Sequence, residues 1–141
     1  MAETGLPTKI LLEIVTPEGL LLRESVDEVI APGSEGYFGV LPGHTPFLST
    51  LGAGQISVMS GGATEYLTCF WGFCEVLPDR VNILAELGER AEAIDAARAE
   101  RAKSRAEAAM KAVVGEEGYT EAHLAYIRAV TRLAVAHKHR A

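Results

Sequence analysis

The arginines carry the strongest chemical signal in this sequence. Arg98 and Arg105 lie seven apart in an Ala-rich stretch. At about 100° per residue of helix they fall within roughly 20° of each other. Arg128 and Arg132 are spaced i,i+4 in the next stretch. Like charges at that spacing destabilise an isolated helix by roughly 0.2–0.5 kcal/mol, so something acidic should offset them. Asp95 lies one helical turn before Arg98, with Glu89 and Glu92 nearby. Two readings follow: a solvated, ion-paired face, or an anion held between two helices with arginines on its phosphates. There is no Walker loop or Gly-rich phosphate cradle. A nucleotide here would be held by side chains alone, reversibly, with no hydrolytic apparatus.

Other reactive residues form no constellation. No Ser/His/Asp, Cys/His or paired-carboxylate arrangement appears, and no Cys/His cluster has metal-ligand spacing. The chain reads as not an enzyme, with no metal. His44 stands alone in the segment Gly36–Leu51, which packs Gly36, Gly39, Gly43, Pro42 and Pro46 among apolar residues. That segment is either a structural corner, with glycines at positive φ, or a rigid, partly apolar loop presented to a partner protein. Cys69 and Cys74 are five apart in one apolar run. On a regular strand an odd separation places them on opposite faces, unable to bridge. Two free buried thiols fit a reducing compartment. Adjacent Phe70 and Trp71 should likewise face opposite ways.

The elements that must position these residues change character partway along. All six prolines lie at or before Pro78, and twelve of fourteen glycines lie at or before Gly88. Short runs punctuated in this way read as strands: Lys9–Thr16, Leu20–Arg23, Val26–Ala31, Gln55–Ser60, Glu65–Leu77 and Val81–Ala85. They suggest a sandwich or flattened barrel. Beyond them, ten of the twenty-two residues from Ala91 to Ala112 are alanine, the best helix former. Gly115–Gly118 ends that helix, and Thr120 is expected to cap a second. The second helix buries a stripe of Ala122, Tyr126, Ala129, Leu133 and Ala136. So short a connection makes the two helices antiparallel neighbours. The expected architecture is α+β in two parts: a β module over 1–87 and a two-helix hairpin over 88–141.

Charge follows the same division. Of the net −6, residues 1–88 hold three basic and eleven acidic residues (−8), and residues 89–141 hold ten and eight (+2). An acidic β module does not suggest nucleic-acid binding. No apolar run approaches the roughly 18 residues of a membrane span, and Met1–Pro7 does not read as a signal peptide. The protein is expected to stay in the compartment where it is made.

Several segments resemble one family, the epsilon subunit of the bacterial F-type ATP synthase. They are Ile14–Gly19, Val26–Val29, Pro32–Pro46 and Gly72–Val76, in which Cys74 stands where the family often has Ala. The run Ile94-Asp95-Ala96-Ala97-Arg98-Ala99 resembles the family's nucleotide motif. The similarity spans nearly the whole chain. It implies a β-sandwich of about ten strands followed by a two-helix hairpin, placed in a rotor stalk at the cytoplasmic face of the bacterial membrane. The implied partners are the gamma subunit, the ring of c subunits and, when the hairpin extends, the catalytic alpha/beta head. The ring contact would lie in the loop carrying Tyr37 and His44. In some bacterial members the folded hairpin binds ATP as a regulatory ligand. The matching residues here are Glu89, Ile94, Asp95, Arg98, Ala99, Arg105, Arg128 and Arg132. Trp71, where small residues are common, and a slightly extended N-terminus depart from the family pattern. A competing reading, a free-standing β-sandwich adaptor with a dimerising hairpin, explains the two-part pattern but not these specific segments.

Overall fold

A computed structural model describes residues 5–140; the first four residues, part of the extended N-terminus and of the segment read for a signal peptide, lie outside it. It divides into two units, residues 1–90 and 91–141. The first contains β1 (Ile10–Thr16), β2 (Gly19–Val26), β3 (Glu28–Gly33), β4 (Gly36–Val40), β5 (Phe47–Ser60), β6 (Ala63–Leu77) and β7 (Arg80–Arg90). These form one sheet in the order β2-β1-β7-β6-β5-β3-β4. Among the described residues only β1 and β7 pair in parallel. Residues from all seven strands, including β2 and β4 at opposite ends of the order, join one buried core. A single sheet can enclose one core in this way only by doubling over, which makes it a sandwich.

Among the described residues the strand number is seven, not about ten. β5 and β6, 14 and 15 residues long, pass through the bend as single strands. The structure also shows a strand, β4, inside the segment expected to be irregular. β7 runs through Arg90, past the boundary expected at 87.

The bend in β6 sits at Trp71 and Gly72, whose φ angles are 62° and 139°. Pairing skips Trp71 on both sides: Phe70 and Gly72 pair with Ala53 and Leu51 of β5, and with Leu87 and Ala85 of β7. The kink resets the in-out alternation. Before it Leu67 and Cys69 face the core; after it Cys74 and Val76 do. The two cysteines therefore share one core rather than opposite faces, because strand parity does not survive a left-handed residue between them. Both thiols are free, and burial pushes each up to about 12, so they are uncharged at neutral pH. Phe70 and Trp71 are not divided between faces either; their ring centroids are 6.2 Å apart. Phe70 is fully buried and Trp71 half-buried.

The second unit begins with a 3-10 turn at Ala91–Ala93, then α1 (Ala96–Ala112) and α2 (Glu116–Arg140). Asp95 caps α1: its carboxylate accepts the Arg98 backbone N–H at 3.0 Å. α2 starts at Glu116, so Thr120 is not its cap; it lies inside the first turns and donates its hydroxyl to the Glu116 carbonyl. Two acidic residues at the positive end of the helix favour the earlier start. Gly115, at φ 103°, makes the turn. The helices pack on each other across three connecting residues, which makes them antiparallel. Of the expected stripe Ala122, Ala129, Leu133 and Ala136 are buried and Tyr126 is only half-buried; Val135, off the stripe, is buried as well. No helix among the described residues is long and apolar enough to cross a membrane.

Candidate functional site

Two groups of residues stand out, one in each unit. In the β unit the turn between β3 and β4 orders the loop that carries Tyr37 and His44. A Cβ on Gly33 would lie 2.7 Å from the Gly36 carbonyl oxygen, so only glycine closes this turn. The Tyr37 ring is 60% exposed, yet its hydroxyl accepts the Gln55 backbone N–H at 3.0 Å. It lies over Gly54, where a Cβ would approach that oxygen to 2.5 Å. Tyr37 therefore fastens β4 to β5 while presenting its ring outward. His44 Nδ1 donates to the Thr45 carbonyl at 2.6 Å, and its ring is 6.2 Å from that of Phe47. Phe47 in turn meets Phe38 edge-on at 5.3 Å. The Gly43 amide donates to the Pro78 carbonyl at 2.8 Å, tying the loop to the β6–β7 turn. These bonds make the loop a structural corner with exposed apolar side chains. Leu41, Phe47 and Leu48 are exposed in the same segment.

A second exposed surface was not singled out from the sequence. Cross-strand register aligns Leu20, Val15, Leu84 and Phe73 across β2, β1, β7 and β6. Leu20, Leu84 and Phe73 are 59%, 55% and 55% exposed. Beside this row lies an open, largely apolar groove of about 330 Å³ among Val15, Pro17, Phe73 and Leu84. The signal was available: Leu84 sits between core residues Ile83 and Ala85, so it must point outward.

In the helical unit the nucleotide-motif residues divide by role. Ile94 and Ala99 are buried. Asp95 is occupied as the helix cap. Arg98 and Arg105 are exposed on α1, separated by about 10 Å of helix rise. Arg128 and Arg132 are half-buried, one turn apart on α2. Arg98, Arg105 and Arg128 form no ion pair among the described residues. Arg105 lines a groove of about 430 Å³ with Glu121, Ala106 and Ala122. Glu89 belongs to the β unit, where its carboxylate accepts from the Thr68 hydroxyl at 3.4 Å. Three guanidinium groups without acidic partners are chemically suited to phosphate, which each can hold by paired N–H donors.

Comparison with known proteins bears on both groups. Residues 9–91 match the family model "ATP synthase, Delta/Epsilon chain, beta-sandwich domain". Residues 92–137 match "ATP synthase, Delta/Epsilon chain, long alpha-helix domain". The chain is 48% identical over 130 residues to the ATP synthase epsilon chain of Syntrophobacter fumaroxidans, covering 92% of this chain and 97% of that one. It is 45% identical over 134 residues to that of Solibacter usitatus, covering 94% and 99%. Among solved structures it resembles a chain of the Euglena gracilis mitochondrial ATP synthase, with TM-score 0.83 and 23% identity over 95% of this chain and 85% of that one. At that identity the likeness is one of fold.

Proposed function

The chain belongs to the ATP synthase delta/epsilon chain family, and on that footing we propose that it is a non-catalytic subunit of the rotor stalk in a proton-driven bacterial F-type ATP synthase. The β unit docks on the gamma subunit and on the c-ring. The hairpin regulates hydrolysis, folded when ATP is bound and extended toward the alpha/beta head when it is not. The protein sits at the cytoplasmic face of the membrane, held there by its partners.

The observation that best supports docking is the pair of exposed apolar surfaces on one small sandwich. Contiguous apolar surface of this kind marks contact sites on soluble domains. The Tyr37–His44 loop is assigned to the c-ring and the Leu20–Val15–Leu84–Phe73 row to gamma. Leu84→Glu places a charge in the middle of that row without touching the core. It should weaken capture of purified gamma subunit at least tenfold while leaving the thermal midpoint of the isolated chain within about 2 °C. Undiminished capture would remove the row from the gamma interface.

Arg98, Arg105 and Arg128, which form no ion pair among the described residues, support the nucleotide reading. A ligand bound only to the folded hairpin adds roughly 2.7 kcal/mol at a hundredfold excess over its dissociation constant. ATP should therefore raise the hairpin's thermal midpoint, and Arg98→Ala with Arg132→Ala should abolish the rise. No shift at millimolar ATP would sink the sensing role and leave the stalk role standing.

A further inference from the structure

We infer that the end of β7 is a clamp that confines the pivot of the hairpin to residues 91–94; this rests on the reading of the hairpin as a movable brake. The last residues of a strand ordinarily fray, since they are held by few ladder bonds. Here they are further fastened by hydrogen bonds to two side chains of β6 and a backbone carbonyl of β2. Arg90 Nη1 donates to Glu65 of β6 at 2.9 Å, and Arg90 Nε donates to the Leu21 carbonyl of β2 at 3.3 Å. One guanidinium therefore reaches two strands, which a lysine ammonium on a single stem does less well. One residue earlier, the Glu89 amide donates to the Thr68 hydroxyl at 3.0 Å, and that hydroxyl donates back to the Glu89 carboxylate. Thr68 is fully buried. Its hydroxyl is thus a fixed internal acceptor, not a solvent-facing one.

Immediately beyond Arg90 the restraints change in kind. The 3-10 turn has a backbone bond from the Ile94 amide to the Ala91 carbonyl at 3.1 Å, and α1 begins only after the Asp95 cap. Four residues without strand or α-helix pairing, 91–94, separate the clamped strand end from Asp95, whose side chain caps α1 and whose carbonyl accepts the Ala99 amide at 3.0 Å. Force on the hairpin then turns this segment instead of peeling β7 from the sheet. The pivot lies beyond Glu86–Arg90, and Glu89 is an anchor on its fixed side.

The test is hydrogen exchange of backbone amides in the full chain, resolved by residue. In the wild type the Glu89 amide should exchange at least 100-fold more slowly than that of Glu92. In Glu65→Gln combined with Thr68→Val, Glu89 exchange should rise at least tenfold while Ile83, deep in the same strand, is unchanged. Arg90→Lys should move Glu89 the same way by a smaller factor. A Glu89 amide that exchanges as fast as Glu92 in the wild type, or does not respond to the double substitution, overturns the clamp. The wild-type comparison decides even if a variant misfolds. Whether the hairpin is a brake is read separately, from ATP hydrolysis after hairpin removal, so the two ideas fail independently.

Discussion

Gly72→Ala is expected to destabilise the β unit by roughly 3–5 kcal/mol, combining steric overlap with a disfavoured backbone. A Cβ there would lie 1.9 Å from the Leu84 carbonyl oxygen and 3.0 Å from the Ala85 Cα. Both are backbone atoms of the paired strand β7, so no rotamer change relieves the overlap. Residue 72 also has φ 139°, which L side chains rarely adopt. Against a total stability of about 5–15 kcal/mol for a domain, this is a large fraction. The thermal midpoint should fall by at least roughly 12 °C. Gly61→Ala is the matched control: its φ is also positive, at 58°, but nothing lies within 4 Å of the added methyl. It should cost about 1 kcal/mol. Equal effects at the two sites would show that β6 can straighten at the kink, and the account of the parity reset would fail.

That kink also marks where the sequence stopped being legible. Strand reading rests on alternation, and alternation is a statement about regular backbone. That rule places Cys69 and Cys74 on opposite faces. Trp71 in a left-handed conformation breaks it, and a bulky residue gives no sequence hint that it will. Glycine-rich spacing hid β4 for the opposite reason: Gly36 and Gly39 suggested a turn, and only one of them makes it. Strand pairing decided the rest: β4, at the end of the sheet, holds both glycines in register with β3, Gly36 opposite Gly33 and Gly39 opposite Ile30.

The helices were easier to read because their signals are local. The Ala-rich run, the buried stripe and the turn near Gly115 follow from periodicity and breaking residues. Thr120 was misplaced because a capping side chain and a mid-helix hydroxyl bonded to the carbonyl four residues back look alike in sequence. The resemblance picked out eight nucleotide-site residues as a group. The structure separates them: Asp95, Ile94 and Ala99 already have structural work at the start of α1, whereas Arg98, Arg105 and Arg128 have no ion-pair partner among the described residues. Alanine substitution of Asp95 thus confounds helix capping with ligand contact, and the arginines are the cleaner probes.

The second large effect concerns the hairpin as a whole. Alanines bury little area, so α1 and α2 gain less from packing than helices carrying Leu or Ile at roughly 1.5–3 kcal/mol each. A hairpin so built is suited to moving. Opened into extended helix, its roughly 45–50 residues reach up to about 65–75 Å. Because β7 and its clamp end at Arg90, the cut that removes the hairpin without damaging the sandwich lies after Arg90.

The most direct measurement is ATP hydrolysis by membranes carrying the complete synthase with either the full chain or residues 1–90. We expect both forms to assemble with gamma and the c-ring and to couple ATP to proton movement. Hydrolysis at low ATP should rise several-fold with the truncated form, and the difference should narrow at millimolar ATP, where the full chain's hairpin is held folded. An assembled, coupled complex whose hydrolysis is the same with and without residues 91–141 at every ATP concentration would contradict the brake.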